Sequence, residues 1–186
     1  MAEKVCPVWI GYLLASPVRK LLQNSEKILD PYIKDGMKVL DMGCAMGFFS
    51  LPLARMVGPN GKVICADVQE KMLKSLEKRA RKAGVSDRIS TRISHQNGAL
   101  DDLAGETDFA LAFAVVHEVS DASVFFADIY KTLKPGGKCL IAEPSGHVSE
   151  KDFEISVSVA EQNGFKVADR PRIARSYAVL LEKTGD

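Results

Sequence analysis

Acids, glycines and two histidines carry most of the chemistry this chain offers. The stretch Asp41-Met42-Gly43-Cys44-Ala45-Met46-Gly47 joins an extended apolar run, Lys38 to Asp41, to a helical pattern. Small residues at 43, 45 and 47 let a ligand approach the backbone, and a helix N-terminus offers unpaired N–H groups. Nucleotide-type cofactors use such a turn, and the spacing discriminates among them. The dinucleotide fingerprint needs glycine at the first, third and sixth places, where this chain has Gly43, Ala45 and Phe48. Phe48 is too bulky for that last place. Asp41 would sit badly beside a pyrophosphate and well beside an ammonium group. A second acid, Asp67, ends the run Ile64-Cys65-Ala66-Asp67, 20 residues after Gly47.

His117 follows Ala114-Val115-Val116 and can accept a proton near neutral pH. The alternative is that it packs or bonds backbone. Glu143 and His147 follow a later apolar run and are expected at the same rim, the bland reading being a surface salt bridge and a loop histidine. The four cysteines, at 6, 44, 65 and 139, form no C-x-x-C pair, so no metal site is expected. Cys65 and Cys139 lie in apolar runs as reduced core thiols, which points to a cytoplasmic protein. Lys71, Lys74, Lys78, Arg79, Arg81, Lys82, Arg88 and Arg92 make a basic stretch. Glu70, Glu77 and Asp87 interrupt it, which favours a solvated helix face over an RNA-binding stripe.

Hydrophobic period gives the elements that must hold these residues. The chain has 186 residues, 46% apolar and 26% charged, with 25 Lys plus Arg against 24 Asp plus Glu. Such a chain can bury about 70% of its unfolded surface. The balance excludes general disorder and recognition of nucleic acid by bulk electrostatics. The longest clean apolar run, Phe109 to Val116, has eight residues, far short of the ~20 of a membrane helix. Val5 to Ala15 imitates a signal-peptide core, but Pro7 and Gly11 interrupt it and Ser16-Pro17 is a poor cleavage site. Secretion is not expected.

About seven strands are predicted: Lys38–Asp41, Lys62–Ala66, Arg88–Ser94, Phe109–Val115, Lys138–Ala142 after a Pro135-Gly136-Gly137 turn, Lys166–Asp169 and Tyr177–Glu182. Helices alternate with them. One spans about Asn24 to Lys34. A second carries Met72, Leu76, Ala80 and Ala83 and closes at Gly84. A third carries Phe125, Ile129 and Leu133 after Ser120-Asp121, and a fourth Phe153, Val157 and Ala160 after Ser149. The alternation predicts a doubly wound α/β fold with helices on both faces, binding ligands beyond the carboxyl ends of its strands.

From about Asn24 to Lys183 the chain resembles the class I S-adenosylmethionine-dependent methyltransferases. In wording it is similar to the branch that includes the ubiquinone and menaquinone C-methyltransferases. The resemblance rests on Asp41-x-Gly43-x-Ala45-x-Gly47, Asp67, Gln96-Asn97-Gly98-Ala99, Thr107-Asp108-Phe109-Ala110-Leu111 and Leu133-Lys134-Pro135-Gly136-Gly137. It implies a Rossmann-like, seven-stranded sheet, mostly parallel with an antiparallel last strand, in a single domain over residues 1–186. S-adenosylmethionine is the implied cofactor. Asp41 matches the position that holds its amino group, and Gly43, Ala45 and Gly47 match the turn beneath it. Asp67 matches the acid on the ribose, where two acceptor oxygens suit a vicinal diol. Val68 and Met72 would flank the adenine. Gln96 and Asn97 stand where many members place an acid against the adenine amino group, and Ala114 ends the strand beside the sulfur.

The implied activity is methyl transfer to a small-molecule acceptor by in-line displacement, in which positioning supplies ~7–11 kcal/mol. His117 is the candidate base. Trp9, Tyr12, Glu118, Glu143 and His147 are candidate acceptor contacts, with residues 1–20 as a flap or brace on a 21–186 core, and a homodimer could complete the acceptor site. Two alternatives stay open: a non-catalytic module that binds S-adenosylmethionine or S-adenosylhomocysteine, and an RNA methyltransferase using the basic helix. A nicotinamide oxidoreductase is opposed by Phe48 and Asp41, and nucleic acid is not the expected partner.

Overall fold

The computed structural model describes residues 24–94 and 100–185. They belong to two compact units, one within residues 5–99 and the other centred on 100–186. Trp9, Tyr12, Gln96 and Asn97 lie outside the described residues.

The first unit opens with helix α1 (Ser25–Leu29). Asn24 caps it, its Oδ1 accepting the Lys27 N–H at 3.0 Å. The helix stops well short of the predicted Lys34 because Pro31 has no N–H to donate to the Lys27 carbonyl, which breaks the ladder. Strand β1 (Lys38–Met42) then leads through the glycine turn to α2 (Ser50–Met56), β2 (Lys62–Asp67), α3 (Glu70–Ala83) and β3 (Ile89–Ile93). β1 and β3 each pair in parallel with β2, and the register sets Asp41 opposite Cys65. Helix α3 buries Met72, Leu73, Leu76 and Ala80, and ends at Gly84 in the left-handed conformation, φ 68°. Each buried Leu or Met contributes about 1.5–3 kcal/mol. That burial holds the helix whose neighbour is the glycine turn.

The second unit contains β4 (Thr107–Phe113), α4 (Ala122–Thr132), β5 (Leu133–Pro144), α5 (Glu150–Gln162), β6 (Phe165–Asp169) and β7 (Ser176–Lys183). Asp121 and Ser149 cap α4 and α5, as expected from their positions. Lys183 Nζ donates to the Tyr130 and Leu133 carbonyls, both at 2.9 Å, and so closes the C-terminal end of α4. β4 pairs in parallel with β5, while β7 lies antiparallel between β5 and β6. Cys139, Leu140, Ile141 and Ala142 are all buried, the mark of a strand covered on both faces.

The strand order β3-β2-β1-β4-β5-β7-β6 is the predicted seven-stranded, mostly parallel sheet. Two details differ from expectation. Pro135-Gly136-Gly137 lies inside β5 rather than before it, at an irregularity where one residue of β4 (Asp108) faces four of β5 (134–137). β4 ends at Phe113 rather than Val115, because Ala114 turns to φ 57°. Cys44, Cys65 and Cys139 are free and buried.

Candidate functional site

The turn after β1 is held from three directions. The Gly43 and Cys44 N–H groups donate to the Ala66 carbonyl at 2.8 and 3.1 Å. Asp67 Oδ2 accepts the Ala45 N–H at 2.9 Å, and its Oδ1 accepts the Gln69 N–H at 2.8 Å. Arg79 of α3 reaches back, its Nη1 donating to the Met46 carbonyl at 2.5 Å. Gly43, Ala45 and Gly47 have φ of 74°, 45° and 83°, conformations that an ordinary side chain resists.

Gly47 has a second reason to be glycine. A Cβ there would lie 2.2 Å from Leu76 Cδ1. Its missing side chain therefore lets α3 pack against the turn, as well as leaving the backbone bare. The helix starts at Ser50 rather than directly after Gly47, and Phe48 and Phe49 pack edge to face within the turn, both buried.

Asp41 is 3% exposed. The Ser50 hydroxyl donates to its Oδ2 at 2.5 Å, and no Lys or Arg pairs with it among the described residues. Burial pushes its carboxyl up to about 7; the Ser50 hydroxyl pulls it back in part, and the charge of Asp67 adds to the rise. Asp67 is also raised, chiefly by burial, with the Gln69 and Ala45 N–H bonds opposing. Two buried acids with no Lys or Arg partner among the described residues form an acceptor-rich site that suits an ammonium and a pair of hydroxyl groups. Val68 beside them is 39% exposed, whereas Met72 is 2% exposed and belongs to the core.

The second unit holds a separate cluster. Glu143, expected at a rim or in a surface salt bridge, is instead 1% exposed. Its Oε1 accepts the Val115 and Val116 N–H groups, both at 2.9 Å, and its Oε2 meets His117 Nδ1. Ala142, one residue earlier, accepts the Ala114 N–H at 2.7 Å. Together these bonds hold the left-handed Ala114, at a cost of about 1–2 kcal/mol. The imidazole of His117 is raised above its usual value, first by the hydrogen bond to Glu143; burial opposes, and the charges of Glu143 and Glu118 add to it. Glu118 Oε1 lies 3.9 Å from His117 Nε2, and the His147 ring stands edge-on at 6.3 Å.

Tertiary structure also sorts the basic stretch. Arg79 and Arg88 turn to backbone carbonyls, Arg92 to Ser90, and Lys74 pairs with Glu70. No group of three or more His, Cys, Asp or Glu able to hold a metal occurs among the described residues. Sequence reasoning did not single out Ser50, Arg79 or Leu76. Ser50 had a faint signal, a small hydroxyl residue where the helix begins; Leu76 was legible as the buried face of its helix and Arg79 as part of the basic stretch, but neither spacing pointed to the turn.

Strand order and glycine turn together define a class: the fold is that of class I S-adenosylmethionine-dependent methyltransferases, and S-adenosylmethionine is the cofactor of that class. The sequence model of the methyltransferase domain family matches residues 33–176, and the chain belongs to that family. It is 25% identical to a SAM-dependent methyltransferase from Aquifex aeolicus, with a TM-score of 0.86 over 97% of this chain and 100% of that one. A ubiquinone/menaquinone biosynthesis C-methyltransferase UbiE from Pasteurella multocida is 30% identical over 60% of this chain. A Shewanella sp. (strain W3-18-1) protein of the same name is 29% identical over 80% of it. The chain spans 41% and 59% of the length of these two curated relatives.

Proposed function

We propose that the protein transfers a methyl group from S-adenosylmethionine to a small-molecule acceptor. The observation that carries this reading is the preorganised turn Gly43–Gly47 flanked by two buried acids that have no Lys or Arg partner among the described residues. Asp41 would pair with the cofactor's ammonium, and that pairing would restore the carboxylate that burial disfavours. Asp67 would accept the ribose hydroxyls with the lone pairs left over after Ala45 and Gln69. Gly43, Ala45 and Gly47 would pass beneath the cofactor, and the exposed Val68 would cover one face of the adenine. Gln96 and Asn97 would meet the adenine edge, and Trp9 and Tyr12 the acceptor. Met72, 2% exposed, would back that face from the core.

When bound, the cofactor supplies a methyl carbon on a positive sulfur, open to in-line displacement. The chain's part is to hold that carbon, exclude water and manage the acceptor's proton, for which His117 is the group with a suitable range. Ala114, Glu118 and His147 share its neighbourhood within the second unit. Residues 1–186 would act as one methyltransferase domain.

Isothermal titration calorimetry with S-adenosylmethionine, S-adenosylhomocysteine and NAD tests the reading. Binding of the first two without NAD is the expected result. Binding of NAD alone would overturn it, and the same titration followed by a labelled-methyl transfer assay separates an enzyme from a module that only binds.

A further inference from the structure

Among the described residues three non-glycine positions adopt left-handed backbone: Ala45, Ala114 and Arg175. The first two belong to the glycine turn and to the cluster around His117. The third is the only one with a charged side chain. It stands in the link between β6 and β7, Arg170-Pro171-Arg172-Ile173-Ala174-Arg175, where three arginines fall within a unit whose acids outnumber its bases. The Ser176 N–H donates to the Ile173 carbonyl at 3.1 Å, so Arg175, at φ 60°, is the third residue of a four-residue turn. Positive φ at that place calls for glycine or asparagine, and an ordinary side chain resists it. Strain of this kind persists where the surroundings over-determine it, and it collects at positions that hold ligands.

The turn is fastened to the loop that carries His147. The Ser145 N–H donates to the Arg175 carbonyl at 3.0 Å, which continues the pairing of β7 with β5 beyond Pro144. His147 is two residues further on, its N–H donating to the Pro144 carbonyl at 2.9 Å and its ring edge-on to His117 at 6.3 Å. At most about 7 Å of chain therefore separates His147 from the residue bonded to Arg175. The acids close to this link are already engaged. Glu154 takes both arms of the Arg170 guanidinium at 2.6 and 2.8 Å, and Asp169 Oδ1 accepts the Arg170 N–H at 2.8 Å. Arg172 and Arg175 are exposed, and neither has an acid partner among the described residues. The Ser176 hydroxyl is buried without a hydrogen-bond partner among them, a further donor left unmet at the same turn.

We propose that Arg172 and Arg175 form an anion-binding subsite for the methyl acceptor, and that the acceptor is an acidic small molecule bearing a carboxylate or a phosphate monoester. The inference rests on the methyl-transfer reading above and adds the handle by which the acceptor is held. A guanidinium presents parallel N–H donors that match either group two oxygens at a time. Gripping the acceptor away from its reacting atom spends binding energy on orientation, the term on which in-line transfer depends. A neutral acceptor would leave both guanidinium groups without a partner, and a cationic one would be repelled.

Amide NMR of the cofactor-free protein tests the subsite with benzoate, phenyl phosphate and neutral benzyl alcohol as probes. Both anions should shift residues 145–147 and 172–176 saturably, and benzyl alcohol should not; the tighter of the two anions tells a carboxylate site from a phosphate site. Arg175→Gly removes charge and strain together, so it should weaken anion binding about 10-fold or more while raising Tm by about 2–4 °C. Arg175→Lys should recover part of the affinity and none of the Tm. Arg172→Gln should weaken anion binding by a similar factor with Tm unchanged. Anions that shift other surfaces instead, that bind Arg175→Gly and Arg172→Gln as tightly as wild type, or that bind no better than benzyl alcohol would overturn the subsite. For the acceptor, wild type is supplied with a small-molecule cell extract and methyl-labelled S-adenosylmethionine. The labelled product should be retained by an anion-exchange resin in mild alkali, where the cationic cofactor passes through. Label confined to unretained products would overturn the acidic acceptor. Failure to bind S-adenosylmethionine would strike the methyl-transfer reading instead, while the anion titration, made without cofactor, decides the subsite in every case.

Discussion

Asp41→Asn should make the ligand-free protein more stable in mild alkali and worse at holding its cofactor. The carboxyl is raised from 3.8 to about 7, chiefly by burial. Below about pH 4 it is protonated in both the folded and the unfolded chain. Between there and pH 7 only the unfolded chain ionises, so folding stability falls as pH rises. Above 7 the loss is constant, at roughly 4 kcal/mol for three pKa units at ~1.4 kcal/mol each, an upper bound that local relaxation reduces. At pH 5 the same reckoning gives roughly 1.5 kcal/mol. Asparagine never ionises and keeps an oxygen for the Ser50 hydroxyl. Relative to wild type it should therefore gain about 2–3 kcal/mol more at pH 8.5 than at pH 5. Urea unfolding of both proteins at the two pH values measures this through the midpoint at constant m. Calorimetry should show cofactor affinity weakened by about 10- to 100-fold, the worth of a charge-assisted hydrogen bond. Equal stability differences at pH 5 and 8.5 would refute the buried-acid account, whatever happens to the affinity.

Two further changes probe the turn itself. Gly47→Ala puts a Cβ 2.2 Å from Leu76 Cδ1 at φ 83°; thermal unfolding should show a loss of about 2–4 kcal/mol, and an unchanged Tm would remove Gly47 from the packing of α3. Arg79→Met keeps the aliphatic stem but removes the donor to the Met46 carbonyl, so cofactor affinity should fall about fivefold with the fold retained by circular dichroism. Full affinity in that variant would mean the turn is rigid without its clamp.

Most of the architecture was legible because its signals are local. Caps, apolar period and chain-breaking residues act within a turn or two of sequence, and they located Asp121, Ser149 and Gly84 correctly. Where a local signal was misjudged, a neighbour had overruled it: Pro31 shortened α1, and pairing with Thr107 drew Leu133 into β5 ahead of Pro135. Expected positions of the acids held for the same reason, since Asp67 ends β2 and Asp41 stands one residue before the end of β1, both strands being plain apolar runs in the sequence.

The sequence by itself thus determined the alternation of strands and helices, the glycine turn with its two acids, and a histidine after the fourth strand. It could not determine which polar groups are buried or what they face. Glu143 and Val115 are 28 residues apart, and Arg79 and Met46 are 33 apart. Neither contact follows from any spacing along the chain. Strand pairing brings the first together and the packing of α3 the second. Only tertiary structure turned an expected rim glutamate into a buried partner of His117, because burial and hydrogen-bond geometry belong to neighbours in space, and register chooses those neighbours.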